Sequence, residues 1–470
     1  MGRPAIHCLA AALLATAAAC GPASGPSSDA PNVLLVTIDT LRPDHLGAYG
    51  FPGDSSPSFD ALAARGVVFE RAIAASARTA PSHASLFTSR WVRDHSIGYR
   101  NGSTRLGDEV TLATIFGAAG YDTAAFVGNS MLRRRVGLDR GFAVFDDVLP
   151  DEERNRPVFE RIAEKTTHRA LEWLARPRRR PYFLWVQFND PHGPYTPPPS
   201  YAEPFAAAAE REAEQEKPLP ALDVQRGLNG IPAYQVIGDE RRPGEYRARY
   251  TGEIRYFDAW LGRLLEAAEA AADGRENVVV VTADHGESLG EDGFYFSHGF
   301  ATTPNLVHVP LVVVAPGIPP GRVDALVHHV DVLPTLLELA GLPPPIDPAG
   351  VSLVGLMQRG EALPERTVYA DVGAEVSAYR GDGFVRLRLG ADLGDFESGR
   401  RAAFTWRRDG SWTPAPPAPE LERSAARYAS REPHTREAPA PSRDDERRLR
   451  ALGYLEPEGA EKTPAEPGGG

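Results

Sequence analysis

At 470 residues the chain is long enough for one large domain with a smaller companion, and 42% apolar against 24% charged residues is a composition that can bury a sizeable core. With 63 acidic and 51 basic residues the formal net charge is -12, which argues against a protein that grips nucleic acid by counterion release, so no nucleic-acid binding is expected. An anionic substrate must then be bound by local groups.

Residues 1–20 carry a basic start at Arg3, an apolar stretch from Ala10 to Ala19, and then Cys20. This reads as a signal peptide, too short to span a bilayer as a helix. Ala17, Ala18 and Ala19 directly before Cys20 resemble the lipobox of bacterial lipoproteins, although the usual Leu three places before the Cys is missing. The cysteines are Cys8 and Cys20, so cleavage before Cys20 leaves one thiol and no internal disulfide, which suits acylation. The expectation is an exported protein of a bacterial cell envelope, periplasmic or on the outer surface, lipidated at Cys20 and held to the membrane by that anchor. A plain secreted protein is the alternative. Residues 21–31, rich in Gly, Pro, Ser and Ala, read as a flexible tether.

A catalytic domain is expected over 32–345. Val33 to Ile38 and Val278 to Thr282 are continuous β-branched and apolar runs, as parallel strands covered on both faces require, and Phe183 to Phe188 and Leu311 to Val314 look similar. The helical pattern between them is clearest where Ile254, Phe257, Leu261, Leu264, Leu265 and Ala268 share one stripe, with Glu253, Arg255, Arg263 and Glu266 elsewhere. Alternating strands and helices predict an α/β, doubly wound, mostly parallel sheet. Residues 200–243 read as a partly helical insertion over the site. Over 346–455 a small C-terminal antiparallel subdomain is expected, with strands near Thr367 to Val372, Phe384 to Leu389 and Ala402 to Trp406, low complexity over Pro414 to Pro441 and a closing helix over Asp444 to Tyr454. Residues 456–470 read as a disordered tail.

Chemistry is expected at the carboxyl ends of the strands, where open α/β sheets place their sites. The run from Asn32 ends in Asp39, and the run from Val278 ends in Asp284 and His285. Carboxylate oxygens with an imidazole suit zinc, manganese or a calcium-like site, whereas a single Asp at a strand end is more often a turn former. Thr79-Ala-Pro81-Ser-His83 opens a predicted short helix through Thr88, where free N–H groups favour an anion. There Thr79 is either an N-cap or, beside a metal, a nucleophile. His95, His308, His328 and His329 read as polar loop surface.

Together these segments resemble the sulfatase branch of the alkaline-phosphatase superfamily over Asn32 to Gly341. Ile38-Asp-Thr-Leu-Arg-Pro-Asp-His-Leu-Gly-Ala-Tyr-Gly50 is similar to its opening motif and Thr282-Ala-Asp-His-Gly-Glu-Ser-Leu-Gly-Glu291 to its second metal motif. Asn189-Asp-Pro-His192-Gly-Pro-Tyr195 looks like its substrate-side loop, and Val330 to Leu337 like its late helix. The resemblance implies an alkaline-phosphatase-like fold and one divalent ion, calcium, manganese or zinc, held by Asp39, Asp284, His285 and the Thr79 oxygen. It also implies a phosphate or sulfate ester as substrate, with His192 and His298 on the substrate side as catalytic and binding groups. Arg42 and Asn129 are given no firm role.

The chain departs from the family at one decisive place. Sulfatases carry Cys or Ser in C-x-P-S-R, converted to formylglycine, while this chain has Thr79 and His83 at the first and last positions. A Thr ester cannot be expelled by elimination from a hydrated aldehyde and has to be cleared by water or an alcohol, as in phosphodiesterase and phosphoethanolamine-transferase relatives with Thr nucleophiles. Phosphoester cleavage through Thr79 is therefore expected, with a formylglycine-free sulfatase as the alternative. A sulfatase-like domain that binds anions without turnover is the rival of another class.

Overall fold

The computed structural model describes residues 26–27, 29–95, 97, 105–213, 216–389, 401–407 and 411–431. The expected signal peptide with Cys20, most of the tether, the closing helix over Asp444 to Tyr454 and the tail over 456–470 lie outside the described residues.

The central sheet consists of β1 (Asn32–Ile38), β2 (Val67–Ile73), β3 (Asp122–Val127), β4 (Val144–Asp146), β5 (Tyr182–Phe188), β6 (Asn277–Ala283), β7 (His308–Val314) and β8 (Gly321–His328). Their spatial order is β8-β2-β7-β6-β1-β5-β3-β4. Every residue of β1 and β5 is buried, which is why these segments read as unbroken apolar runs rather than alternating ones. The expectation of a mostly parallel sheet holds: β1 pairs in parallel with both β5 and β6. The strand over Leu311 to Val314 differs, since β7 runs antiparallel to β2 and β6. Its apolar run reports burial on two faces, and burial carries no information about direction.

The principal helices are α1 (Pro57–Ala63), α2 (Thr79–Thr88), α3 (Ala163–Leu174), α4 (Pro199–Ala213), α5 (Pro243–Ala270), α6 (Val332–Leu339) and α7 (Pro419–Ala429). On α5 the stripe Ile254, Phe257, Leu261, Leu264 and Ala268 is buried as its period predicts. Glu253, expected on the polar face, is buried as well, and its Oε1 accepts the N–H of Thr196 at 2.6 Å. Helix α4 packs on α5 near Glu253, with Tyr201 against Tyr256, so that stretch of the polar face is covered, while Arg263 and Glu266 further along are exposed.

A separate five-stranded antiparallel meander follows: β9 (Val368–Asp371), β10 (Glu375–Arg380), β11 (Gly383–Arg388), β12 (Arg401–Trp406) and β13 (Trp412–Pro414). Strand β10 lies between two of the expected strands. Part of the segment read as low complexity folds as α7, whose Leu421 and Ala425 pack on Ala378, Val385 and Leu387. Its many Pro and Ala residues hide an amphipathic turn pattern that begins at Pro419, a suitable first residue for a helix.

Candidate active site

The register of the sheet brings the first two carboxylates together. Ile38 stands opposite both Phe188 and Ala283, and the ladder runs one step further, Asp39 N donating to Phe188 O and Asp284 N to Ile38 O. Asp39 and Asp284 thus leave neighbouring strands at one level. Thr40, at a left-handed φ of 55°, turns its N–H to Asp284 Oδ1 at 3.2 Å; a β-branched residue holds that conformation only where its surroundings impose it. After His285 the chain passes so close to Asn305 that a Cβ on Gly286 would sit 2.1 Å from that carbonyl, so the turn requires glycine.

Helix α2 is docked by its own side chains. Ser82 Oγ donates to Asp284 O at 2.6 Å. His83 bridges Thr79 O at 2.8 Å and Thr37 Oγ1 at 2.9 Å, while Trp185 Nε1 donates to that same Thr37 oxygen. This leaves the Thr37 hydroxyl as donor to His83 Nε2 and makes Nδ1–H the donor to Thr79 O. Burial lowers the His83 pKa to about 4, so a neutral imidazole stands where the family pattern has an arginine. Thr79 is the first residue of α2, and Arg78, not Thr79, occupies the cap position. The Thr79 hydroxyl makes no cap bond; its Oγ1 lies 3.4 Å from His285 Nε2.

Asp39, Asp284 and His285 place one potential ligand atom each within 4.8 Å of one another, all buried. Two buried carboxylate oxygens in this cluster, Asp39 Oδ1 and Asp284 Oδ2, have no hydrogen-bond partner. His285 Nδ1 is 2.9 Å from Gly286 O, a bond that fixes the tautomer and turns the Nε2 lone pair toward the carboxylates, 3.8 Å from Asp39 Oδ1 and 3.6 Å from Asp284 Oδ2. Burial, followed by the neighbouring carboxylate of Asp284, raises the Asp39 pKa well above the usual range. Burial also pushes Asp284 up to about 8 and drives His285 well down. Paired orphan oxygens, like charges at close range and a neutral imidazole fit a divalent cation, which would favour the ionised carboxylates. The cluster is single among the described residues. Asp190 is not part of it: its Oδ2 accepts Ala163 N at the start of α3, and burial raises its pKa to about 7.

Across the pocket stand the expected histidines. His192 and His298 have ring centroids 5.2 Å apart, and His298 lies 4.5 Å from His285. His298 Nδ1 is 3.3 Å from Oε1 of the fully buried Glu287, whose other oxygen accepts the Tyr195 hydroxyl at 3.0 Å. Burial and the nearby His298 push the His192 pKa well down. The pocket is lined by Thr79, Asn129, Arg156, Glu160, His192 and His298 among others, and the insertion contributes Gln225, Arg226 and Tyr234 to the same walls.

Of the residues without a firm role, Asn129 belongs to the site, its Nδ2 donating to Asp39 Oδ2 at 2.6 Å and to Asn189 Oδ1 at 3.0 Å. Arg42 is an ion-pair partner, bound to Asp44 and Glu291. The histidines read as surface are all buried. His95 lies 2.9 Å from Ser85 Oγ, His308 2.8 Å from Glu70 O, His328 3.0 Å from Tyr369 O and His329 3.0 Å from Ser82 Oγ. Glu287 was legible as part of the second metal motif but carried no signal for its role, because its partners Tyr195 and His298 come from other loops.

The C-terminal sheet reaches this site. Alternate residues of β10 grip Thr302, four positions after His298: Glu375 Oε1 accepts its N–H at 2.9 Å, Ser377 Oγ lies 2.7 Å from its hydroxyl, and Tyr379 donates to its carbonyl at 2.6 Å. Tyr234 and Gln235 of the insertion bind Phe296 O, and Phe296 holds a left-handed φ of 52° two residues before His298.

An alkaline-phosphatase-like sheet places a buried cluster that could hold a cation beside a helix-borne hydroxyl, an arrangement that fits an ester-bond hydrolase. The Sulfatase family model matches residues 31–342, and the chain belongs to that family. It is 28% identical over 375 residues to the Delta 4,5-hexuronate-2-O-sulfatase of Bacteroides thetaiotaomicron, covering 73% of this chain and 75% of the relative. Among solved structures it is similar to the phosphonate monoester hydrolase of Agrobacterium radiobacter, with a TM-score of 0.61 and 20% identity over 85% of this chain and 94% of the other. It also resembles a protein solved in complex with its substrate D-glucosamine-2-N,6-O-disulfate, with a TM-score of 0.65 and 17% identity over 92% of this chain and all of the other.

Proposed function

We propose that this chain is an exported, lipid-anchored hydrolase or transferase that cleaves phosphoesters of phosphodiester, phosphonate or phosphoethanolamine type. The reaction runs through a covalent Thr79 intermediate, with one divalent ion held by Asp39, Asp284 and His285. The observation that carries this reading is Thr79 Oγ1 at 3.4 Å from His285 Nε2, free of any capping role. The ion, when bound, supplies positive charge that favours an ionised Thr79 hydroxyl and an approaching anionic ester.

Thr79 Oγ1 attacks phosphorus in line and its proton passes to solvent. The bond to the leaving oxygen breaks, and that oxygen takes a proton from His298, which Glu287 orients. His192, kept neutral by burial, holds a nonbridging oxygen by hydrogen bonding. Water or an acceptor alcohol then attacks the phospho-threonine, gives its proton to His298, and releases Thr79, whose oxygen regains a proton. Threonine offers no second hydroxyl through which a sulfate could be eliminated, which is why phosphorus is favoured.

Hydrolysis of sulfate esters without formylglycine is the second reading, favoured by the family match and the sulfatase relative. The two separate in kcat/KM for an aryl phosphodiester, an aryl phosphonate monoester and an aryl sulfate, each assayed with manganese, zinc and calcium. Phosphoesters should be turned over fastest, and Thr79→Ala should lose at least ~2–4 kcal/mol of transition-state stabilisation. Faster sulfate turnover would select the second reading, and no turnover of any ester would leave a domain that only binds anions.

A further inference from the structure

The segment Arg176-Pro-Arg-Arg-Arg180 stands apart in a chain of net charge -12. Arg176, Arg179 and Arg180 are exposed and none is ion-paired among the described residues. Arg178 between them lies flat on Trp173, its Cζ 3.8 Å from the ring centroid, and donates to Leu174 O, which fixes the run to the end of α3. Leu171, Leu174, Ala267 and Ala270 form a shallow apolar groove beside it.

Arg275 joins this run to the place where the chain enters the domain. Its Nη1 donates to Ala30 O at 3.2 Å and its Nη2 to Arg179 O at 3.3 Å. The acids at this edge are Asp29, Asp122, Asp273 and Glu276, against the five arginines Arg176, Arg178, Arg179, Arg180 and Arg275. All of this lies where the parallel strands begin, Arg180 leading into β5 and Ala30 into β1. Asp39, Asp284 and His192 follow the opposite ends of β1, β6 and β5. A strand of 7 residues rising about 3.3 Å per residue sets the two edges about 23 Å apart. About ten residues separate Ala30 from Cys20, a reach of at most about 35 Å.

We propose that this arginine-lined edge rests on an anionic phospholipid surface, so that the pocket opens away from the membrane into the aqueous phase. The proposal rests on the lipid anchor at Cys20 put forward above. Arg176, Arg179 and Arg180, exposed next to an anchor, are attracted to anionic headgroups, and the short tether holds them there at high effective concentration, so few are needed. The groove, apolar apart from Arg176, Arg178 and Asp273, adds a face that can settle among headgroups.

The test uses the full acylated chain in vesicles of phosphatidylcholine alone or mixed with phosphatidylglycerol. A fluorophore is carried at the exposed Pro177→Cys or, on the pocket side, at the exposed Val224→Cys, and the vesicles carry a headgroup quencher. The label at 177 should be quenched in the anionic vesicles and the label at 224 should not. High salt or the triple change Arg176→Glu, Arg179→Glu, Arg180→Glu should abolish the quenching, with turnover of a soluble aryl ester unchanged. Equal quenching at both sites, or quenching indifferent to lipid charge and to the triple change, overturns the proposal while the anchor stands. A chain whose mass shows no acylation and which stays off every vesicle overturns the anchor and the proposal with it.

Discussion

Thr79 and His285 meet across 206 positions of sequence, Oγ1 to Nε2 at 3.4 Å. The contact exists because Ser82 and His83 fasten α2 to the ends of β6 and β1, which carries the first residue of that helix over the Asp39–Asp284 pair. The hydroxyl is held by the fold and not by its own helix.

Asn129 donates to an oxygen of Asp39 at 2.6 Å, as partners of metal ligands commonly do. Asn129→Ala should weaken binding of the divalent ion about 10–100-fold, measured by titration of the metal-free protein, while a melt of that metal-free protein shifts little by comparison. Unchanged metal affinity would remove Asn129 from the site.

His298 is placed to protonate the leaving oxygen. With His298→Ala the first, bond-breaking step, read in a single turnover as release of the leaving alcohol, should slow about 10²–10⁴-fold for alkyl esters, whereas for nitrophenyl esters, whose leaving group needs no proton, that step should lose far less. An equal loss on both would make His298 a binding residue only.

In the metal-free protein Asp39 and Asp284 ionise at higher pH than in the unfolded chain, Asp284 at about 8 instead of 3.8. Between those values the folded state binds more protons than the unfolded one, so these groups lower stability as pH rises through that window. A divalent cation stabilises the ionised carboxylates and reverses the effect. The rise in Tm on adding manganese should therefore grow from pH 5 to pH 8, read from thermal melts with metal and with chelator. A metal-induced shift that stayed constant or shrank over that range would contradict the assignment.

Tyr379 of the C-terminal sheet holds Thr302 O at 2.6 Å, and through it the loop that carries His298. Tyr379→Phe removes one hydrogen bond worth about 1 kcal/mol and should lower kcat several-fold with KM nearly unchanged, which steady-state kinetics would read directly. A rise in KM alone would assign the contact to substrate binding.

The sheet and the gathering of Asp39, Asp284 and His285 into one candidate cation site were legible because both are written locally: buried parallel strands leave unbroken apolar runs, and these three residues sit at the ends of such runs. What depends on partners from elsewhere in the chain was not. His329 looks like a loop residue until Ser82 is seen beside it, and no local pattern joins His83 to Thr37. Helix α7 is hidden in a proline- and alanine-rich stretch because its buried face needs β10 and β11 to define it. The direction of β7 is invisible because alternation and burial read the same in either sense. The pairing of Glu287 with His298 was equally out of reach, since no spacing connects a strand end to a loop eleven residues later.

The most direct test is acid quenching of the enzyme during turnover of an aryl phosphodiester or phosphonate, followed by peptide mass measurement. The account predicts the added mass of the transferred phosphoryl group on the peptide containing Thr79, absent from Thr79→Ala. A fully active enzyme whose Thr79→Ala form turns over at the same rate, or whose label sits on another residue, would contradict it.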